Sequence, residues 1–238
     1  MLGAPSLLLT ASAQAPPPPA RPAPQLPPIP ITTDTTHSLA LHFTPASASP
    51  IPPQDRGFIR RWLVLEPVKK DIGRNNILTE TYLRTCVASD NFSGDFNTLP
   101  RAGEKVTIGS QELSWHALDS RSFNFNLYHF AYALSKPKYG MLVWLVTVVD
   151  SPAEMPNLRM TAGCNSASIW WLNGNEIMAL AGDRDLVVDN FTSPRITLKK
   201  GKNIIRGAVI NGPGMANFCV RFVDEKGSPV KNLRIGIE

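Results

Sequence analysis

Nine residues in the middle of the chain, Met141–Val149, read Met-Leu-Val-Trp-Leu-Val-Thr-Val-Val, and this near-continuous apolar run constrains the fold more than any other feature. It is rich in β-branched residues and has no polar positions at helical spacing, so it reads as a strand rather than an amphipathic helix. It is far shorter than the roughly 20 residues that cross a bilayer. A strand apolar on both sides has to be buried on both faces, so the sheet that contains it needs a cover on each side.

The segments around it have the same character. Phe58–Leu65 is an apolar opening strand stopped by Glu66-Pro67. Lys105–Ile108 and Leu113–Ala117 are two short strands around Gly109-Ser110, and Phe123–Leu134 is aromatic-rich and reads as strand throughout. Leu158–Cys164 and Ala167–Leu172 follow, and the second ends in Asn173-Gly174, a strong hairpin dipeptide from which Glu176–Leu180 pairs back. Arg195–Leu198, the turn Lys199-Lys200-Gly201-Lys202, Asn203–Asn211, Phe218–Val223, the turn 224–227 and Leu233–Ile237 complete the series. Short strands at about 8–12-residue spacing with turn residues between them predict an all-β sandwich or barrel. One helix interrupts it: Thr79 caps Thr79–Ser89, with Leu83, Cys86 and Val87 on one side.

Composition changes sharply near Asp55. Fourteen of the 22 prolines precede it, and Ser and Thr fill the gaps, so Pro16–Gln54 reads as a semi-rigid spacer. Before the spacer, Leu7-Leu8-Leu9 and Ala13-Gln14-Ala15 resemble the apolar core and A-x-A cleavage site of a signal peptide over residues 1–15, although no Lys or Arg precedes Arg21. The expected organisation is a signal (1–15), a linker (16–55) and a sandwich (56–238), which places the protein outside the cell, in a periplasm or at a cell surface.

Three segments carry a family resemblance: Ala167–Ile177 with its Trp-Trp-Leu-Asn-Gly, Ile196–Arg206 with Leu-x-x-Gly-x-Asn, and Phe218–Asp224 with Arg-Phe. Together they resemble galactose-binding-like jelly-roll domains. Phe58–Pro67 and Leu113-Ser114-Trp115-His116-Ala117 resemble the accessory module of acetylxylan esterases from Bacteroidota-type polysaccharide degraders. The resemblance covers about Gly57–Glu238. It implies a jelly-roll sandwich that binds a polysaccharide or oligosaccharide, xylan-type polymers among them, without chemistry of its own. It also leaves room for a sandwich that packs on a partner esterase or glycoside hydrolase.

The residues themselves point away from catalysis. There is no Gly-x-Ser-x-Gly elbow. His116 and Asp119 lie close together with Ser120 and Ser122 nearby, but a triad needs geometry that spacing does not establish, and a structural histidine is the plainer reading. Asp183, Asp185 and Asp189 share one loop, so they do not face each other across a glycosidic bond. Their oxygens offer a structural calcium site, or simply a solvated acidic loop. No other cofactor is implied. The net charge of +5 is scattered apart from Lys199, Lys200 and Lys202, which gives no nucleic-acid footprint.

Sugar recognition needs flat aromatic faces flanked by polar groups. Trp115, Tyr128, Trp144, Trp170 and Trp171 are the candidates. Trp144 belongs to the core, and adjacent Trp170 and Trp171 must face opposite ways, so Trp115 and Trp171 are the expected platforms. Asp183, Arg184, Asn211 and Asn217, in loops after strands, are the expected hydrogen-bonding partners. Cys86, Cys164 and Cys219 form no C-x-x-C pair. Cys164 and Cys219 either bridge neighbouring strands or stay as buried thiols.

Overall fold

The computed structural model describes residues 37–70, 78–90, 96–212 and 214–238; the expected signal and the spacer up to residue 36 lie outside them. In chain order the elements are a 3₁₀ turn (Leu39–Leu41), β1 (Phe43–Pro45), β2 (Arg61–Leu65), β3 (Val68–Lys69) and α1 (Glu80–Ser89). Then come β4 (Lys105–Ile108), β5 (Gln111–Ser120), β6 (Phe125–Asn126), α2 (Leu127–Ala133), β7 (Met141–Ser151) and β8 (Met155–Cys164). The last are β9 (Ala167–Leu172), β10 (Asn175–Leu180), β11 (Phe191–Thr192), β12 (Ile196–Leu198), β13 (Gly201–Asn211), β14 (Asn217–Val223) and β15 (Arg234–Gly236).

The strands form an all-β sandwich of two antiparallel sheets. The larger runs β1-β5-β2-β7-β13-β9-β10, with β3 and β15 also on β7 and β4 on β5. The smaller runs β11-β8-β14-β6, with β12 on β8. β7 is central, as its composition requires, and it pairs with β13 without a break from Gly201–Ser151 to Asn211–Met141.

Alternation along each strand sorts side chains between two cores. Trp62, Val64, Leu118, Val143, Leu145, Trp170 and Val209 face the smaller sheet and meet Met160, Phe218, Val220 and Phe222. Trp62 packs edge-on to Trp170 and Phe218, with centroids 5.9 and 5.2 Å apart. Leu63, Trp115, Leu142, Trp144, Val146, Ile169 and Trp171 face the other way and form a second core with Leu78, Leu83 and Cys86, and with Phe96 and Leu99 packed against it. Each fully buried aliphatic or aromatic side chain contributes about 1.5–3 kcal/mol relative to exposure, so both covers matter. Gly207 lies where β13 passes under Trp170: a Cβ there would sit 2.4 Å from the indole.

α1 forms as its cap predicts, since the Thr79 side chain accepts from Tyr82 N at 3.2 Å. Just past its end, Asp90 binds the ammonium of Lys70 and accepts from Trp144 Nε1 at 2.8 Å. Lys70 also donates to Cys86 O and Ser89 Oγ, both at 2.9 Å. One buried ion pair thus ties α1 to the central strand.

Two expectations are corrected. Residues 123–134 are not one strand. The Asn126 side chain accepts from His129 N at 2.9 Å and starts a helix, so β6 stops at Asn126 and α2 takes over. The stretch 37–54, assigned to the linker by its prolines, is folded from Ser38 onward. β1 pairs with β5, Phe43 is buried, and Ile51 bridges Ile235. Proline removes a donor but leaves its neighbours' carbonyls as acceptors. Buried Arg61 takes those of Ser47 and Ser49 while holding Asp119 through two bonds of 2.8 Å.

Removing one partner of a buried ion pair leaves an uncompensated charge. Asp90→Ala is therefore expected to lower stability by about 3–5 kcal/mol, read as a lower urea midpoint with an unchanged slope. A loss below about 1 kcal/mol, the value of an exposed pair, would show that this pair does not anchor α1.

Candidate functional site

Both tryptophan platforms expected from the sequence are inside the protein. Trp115 is 2% exposed, in the second core. Trp171 is 7% exposed and lies under Phe96, whose ring stacks on it at 4.9 Å, while Trp144 flanks it at 5.9 Å. Trp170 and Trp171 do face opposite ways, but the outward face is roofed. Sheet alternation gives the direction of a side chain and not what covers it.

The polar candidates stabilise loops. Asn217 accepts from Asn124 Nδ2 at 3.1 Å and donates to Asn165 Oδ1 at 3.2 Å. Asn211 donates to Lys138 O at 3.1 Å. Arg184 donates to Ala181 O and lies 4.5 Å above the Phe191 ring. Asp183 accepts from Ser166 Oγ at 2.9 Å. These contacts hold the 182–190 loop over β8, where a Cβ on Gly163 would sit 2.2 Å from Val187 O. Asp189 is bound by the Arg221 guanidinium and by Thr161 Oγ1. Among the described residues there is no group of three His, Cys, Asp or Glu side chains that could hold a metal ion.

His116 and Asp119 are three apart on β5 and so point to opposite faces. His116 Nε2 lies 3.3 Å from Glu66 Oε1, and Asp119 is held by Arg61. Ser120 Oγ donates to Asn124 O at 2.6 Å. Burial pushes the Glu66 carboxyl up, but hydrogen bonds from Lys136, at 2.9 Å, and His116 outweigh it and hold Glu66 below the usual carboxylate value.

The cysteines are free. Cys164 faces Phe218 across the β8–β14 ladder and Cys219 faces Gly163, so the two sulfurs lie on opposite sides of the smaller sheet. Burial pushes Cys164 up to about 11 and Cys219 up to about 12.

Two surface features remain. The first surrounds α2. Tyr128 and Tyr132, one turn apart, hold their rings within 8° of parallel. His37 stacks on Tyr132 at 4.3 Å, Tyr139 packs 5.9 Å from Tyr128, and Lys138 lies 5.5 and 5.0 Å from the two α2 rings. Four large hydrophobic residues are exposed among the described residues, and three of them, Leu41, Tyr139 and Met215, adjoin this helix. Leu41 is in the 3₁₀ turn against it, and Met215 precedes Ala216, whose carbonyl accepts from Leu127 N and Tyr128 N. The second feature is a cleft of about 600 Å³ between residues 51–55 and the ends of β1 and β5, with Ile51, Pro52 and Pro53 on one side.

The sequence reading passed over Tyr132, Tyr139 and the cleft. The spacing Tyr128-x-x-x-Tyr132 places two rings on one face only of a helix, and the signal for that helix was Asn126 in an N-cap position.

No family model matches the chain, and no curated protein matches it. Among solved structures it is similar to a PA14 sugar-binding domain from an RTX adhesin, at 12% identity and a TM-score of 0.40 over 74% of this chain and 96% of that one. It is similar to the PA14 domain of the antifreeze protein MpAFP, at 14% identity and a TM-score of 0.39 over 71% and 86%. A GH31 alpha-xylosidase from Xanthomonas citri gives 8% identity and a TM-score of 0.29 over 51% of this chain and 15% of that one.

Two outcomes are expected. Cys164 and Cys219 will not react with a disulfide reagent near neutral pH in the folded protein, and both will react in denaturant; prompt native labelling of either would contradict their burial. For Glu66 the folded pKa is below the unfolded one, so its contribution is present above the ordinary glutamate value of 4.5 and is lost as pH falls through the folded value. Urea midpoints of Glu66→Gln should therefore fall less steeply than wild type below that pH.

Proposed function

We propose that the chain is a non-catalytic carbohydrate-binding module that holds an oligosaccharide or polysaccharide on the tyrosine surface of α2. The observation that supports this is the set of partly exposed, near-parallel rings of Tyr128 and Tyr132 with the open ring of Tyr139 beside them. A pyranose presents a flat C–H face that packs on such rings, and the adjoining Lys138, His37 and tyrosine hydroxyls meet its oxygens. Xylan-type plant polymers, from the resemblance of residues 57–238, are the first ligands to test, within an exported polysaccharide-degrading system.

A second reading uses the same surface. Leu41, Met215 and Tyr139 make an apolar fringe of the kind a partner catalytic domain would cover. The basic and hydroxylated groups among the rings favour the sugar.

Affinity electrophoresis on xylan, pectin and cellulose separates the readings. Retardation on at least one polymer is expected, and Tyr132→Ala or Tyr139→Ala should weaken it about five-fold each, the loss of roughly 1 kcal/mol of stacking. Folded wild-type protein that no polymer retards would sink the sugar reading. Co-elution with an esterase or glycoside hydrolase, abolished by Leu41→Asp, would replace it with the second.

A further inference from the structure

The cleft at the ends of β1 and β5 has a charge balance that the α2 surface does not explain. Its polar lining is Thr44, Gln54, Asp55, Arg60, Asp119, Ser120 and Arg121. Asp119 is already neutralised by Arg61, which holds both its oxygens at 2.8 Å. Arg60 donates one bond, from Nη1 to Ser120 O at 3.3 Å, and Arg121 one, from Nε to Ala40 O at 2.9 Å. Neither forms an ion pair among the described residues, whereas Arg61, Arg84, Arg195 and Arg221 each do. Two guanidiniums thus stand against the single carboxylate of Asp55, and the cleft carries a net positive charge.

Two unpartnered atoms add to the pattern. Gln54 Oε1 and Arg60 Nε are buried without a hydrogen-bond partner among the described residues. Such atoms are costly to leave unmade, at about 1–3 kcal/mol each. One accepts and the other donates, and both residues line the cleft. The volume of about 600 Å³ falls within the range of small-molecule sites. A ligand suited to this lining has one carboxylate for the arginines, hydroxyls that both give and take hydrogen bonds, and a compact ring that fits beside the prolines.

We infer that this cleft binds an acidic sugar, a hexuronic acid residue, with its carboxylate on Arg60 and Arg121 and its hydroxyls on Gln54, Thr44 and Asp55. A guanidinium fork matches a carboxylate with two parallel bonds, and that geometry separates a uronate from its neutral parent sugar. The inference is independent of the α2 reading, because the cleft shares no residue with that surface.

Titration of the full chain with D-galacturonate and D-glucuronate, against galactose, glucose and xylose, tests it by calorimetry or by chemical-shift change. At least one uronate is expected to bind at least ten-fold more tightly than its neutral parent, and to weaken as salt rises from about 50 mM to about 500 mM. Arg60→Gln and Arg121→Gln should each reduce uronate affinity about ten-fold or more, the loss of a charged hydrogen bond. Lys226→Ala, an exposed position outside both surfaces, should leave it unchanged. Arg121 is exposed, so its variant decides the matter if Arg60→Gln does not fold. Equal affinity for uronate and neutral sugar, no binding of either uronate, or wild-type affinity in folded Arg121→Gln would overturn the assignment.

Discussion

The structure depends on β7 being apolar on both faces. A strand of that kind cannot sit in a sheet with one wet side, so the chain has to build two covers. The smaller sheet supplies one, through Phe218, Val220 and Phe222. The other is assembled from pieces: α1, Phe96 and Leu99, held to the central strand by Asp90 between Lys70 and Trp144 Nε1. The charge there is buried, but it is paired and hydrogen-bonded on several sides, the condition under which a buried ion is tolerated.

That second cover also decides what the protein shows to solvent. Three of the five tryptophans, Trp115, Trp144 and Trp171, lie under it, and Trp62 and Trp170 fill the space between the sheets. No tryptophan is left as a surface platform. Tyr82, Phe96 and Phe191 are half-buried elsewhere, and among the described residues the exposed ring is that of Tyr139, beside the half-buried tyrosines Tyr128 and Tyr132 of α2. Each of the last three has a hydroxyl that keeps contact with water while the ring stays available for packing.

Much of the architecture was legible. Turn dipeptides and two-residue alternation placed most strands from β4 to β15, though not β11 and not the end of β6, and Thr79 marked the start of α1. The turn residues also tie the two hairpins together: the Asn203 side chain accepts from Lys199 N, donates to Lys199 O and accepts from Asn173 Nδ2. Aromatic-rich β propensity hid α2, where a single capping side chain outweighed it. Proline content hid β1, because composition reports donors lost and not carbonyls captured by a distant arginine. The candidate site was less legible for a related reason. Whether Trp171 is roofed depends on Phe96, 75 positions away, and whether Asp189 is available for a cation depends on Arg221. Both are matters of long-range packing that spacing along the chain does not encode.

The placement of the thiols has a consequence for how the chain reaches its native state. Cys164 and Cys219 are one rung apart on neighbouring strands yet on opposite sides of the smaller sheet, so native geometry forbids the bridge that an oxidising compartment would otherwise draw from them. Oxidation can join them only before β8 and β14 have zipped together. A covalent link made at that stage would hold the strands one residue out of step and turn every side chain of one strand to the wrong side. In an oxidising compartment folding and oxidation would therefore race each other, and once β8 and β14 have paired, the burial of the two sulfurs on opposite sides of the sheet closes that route.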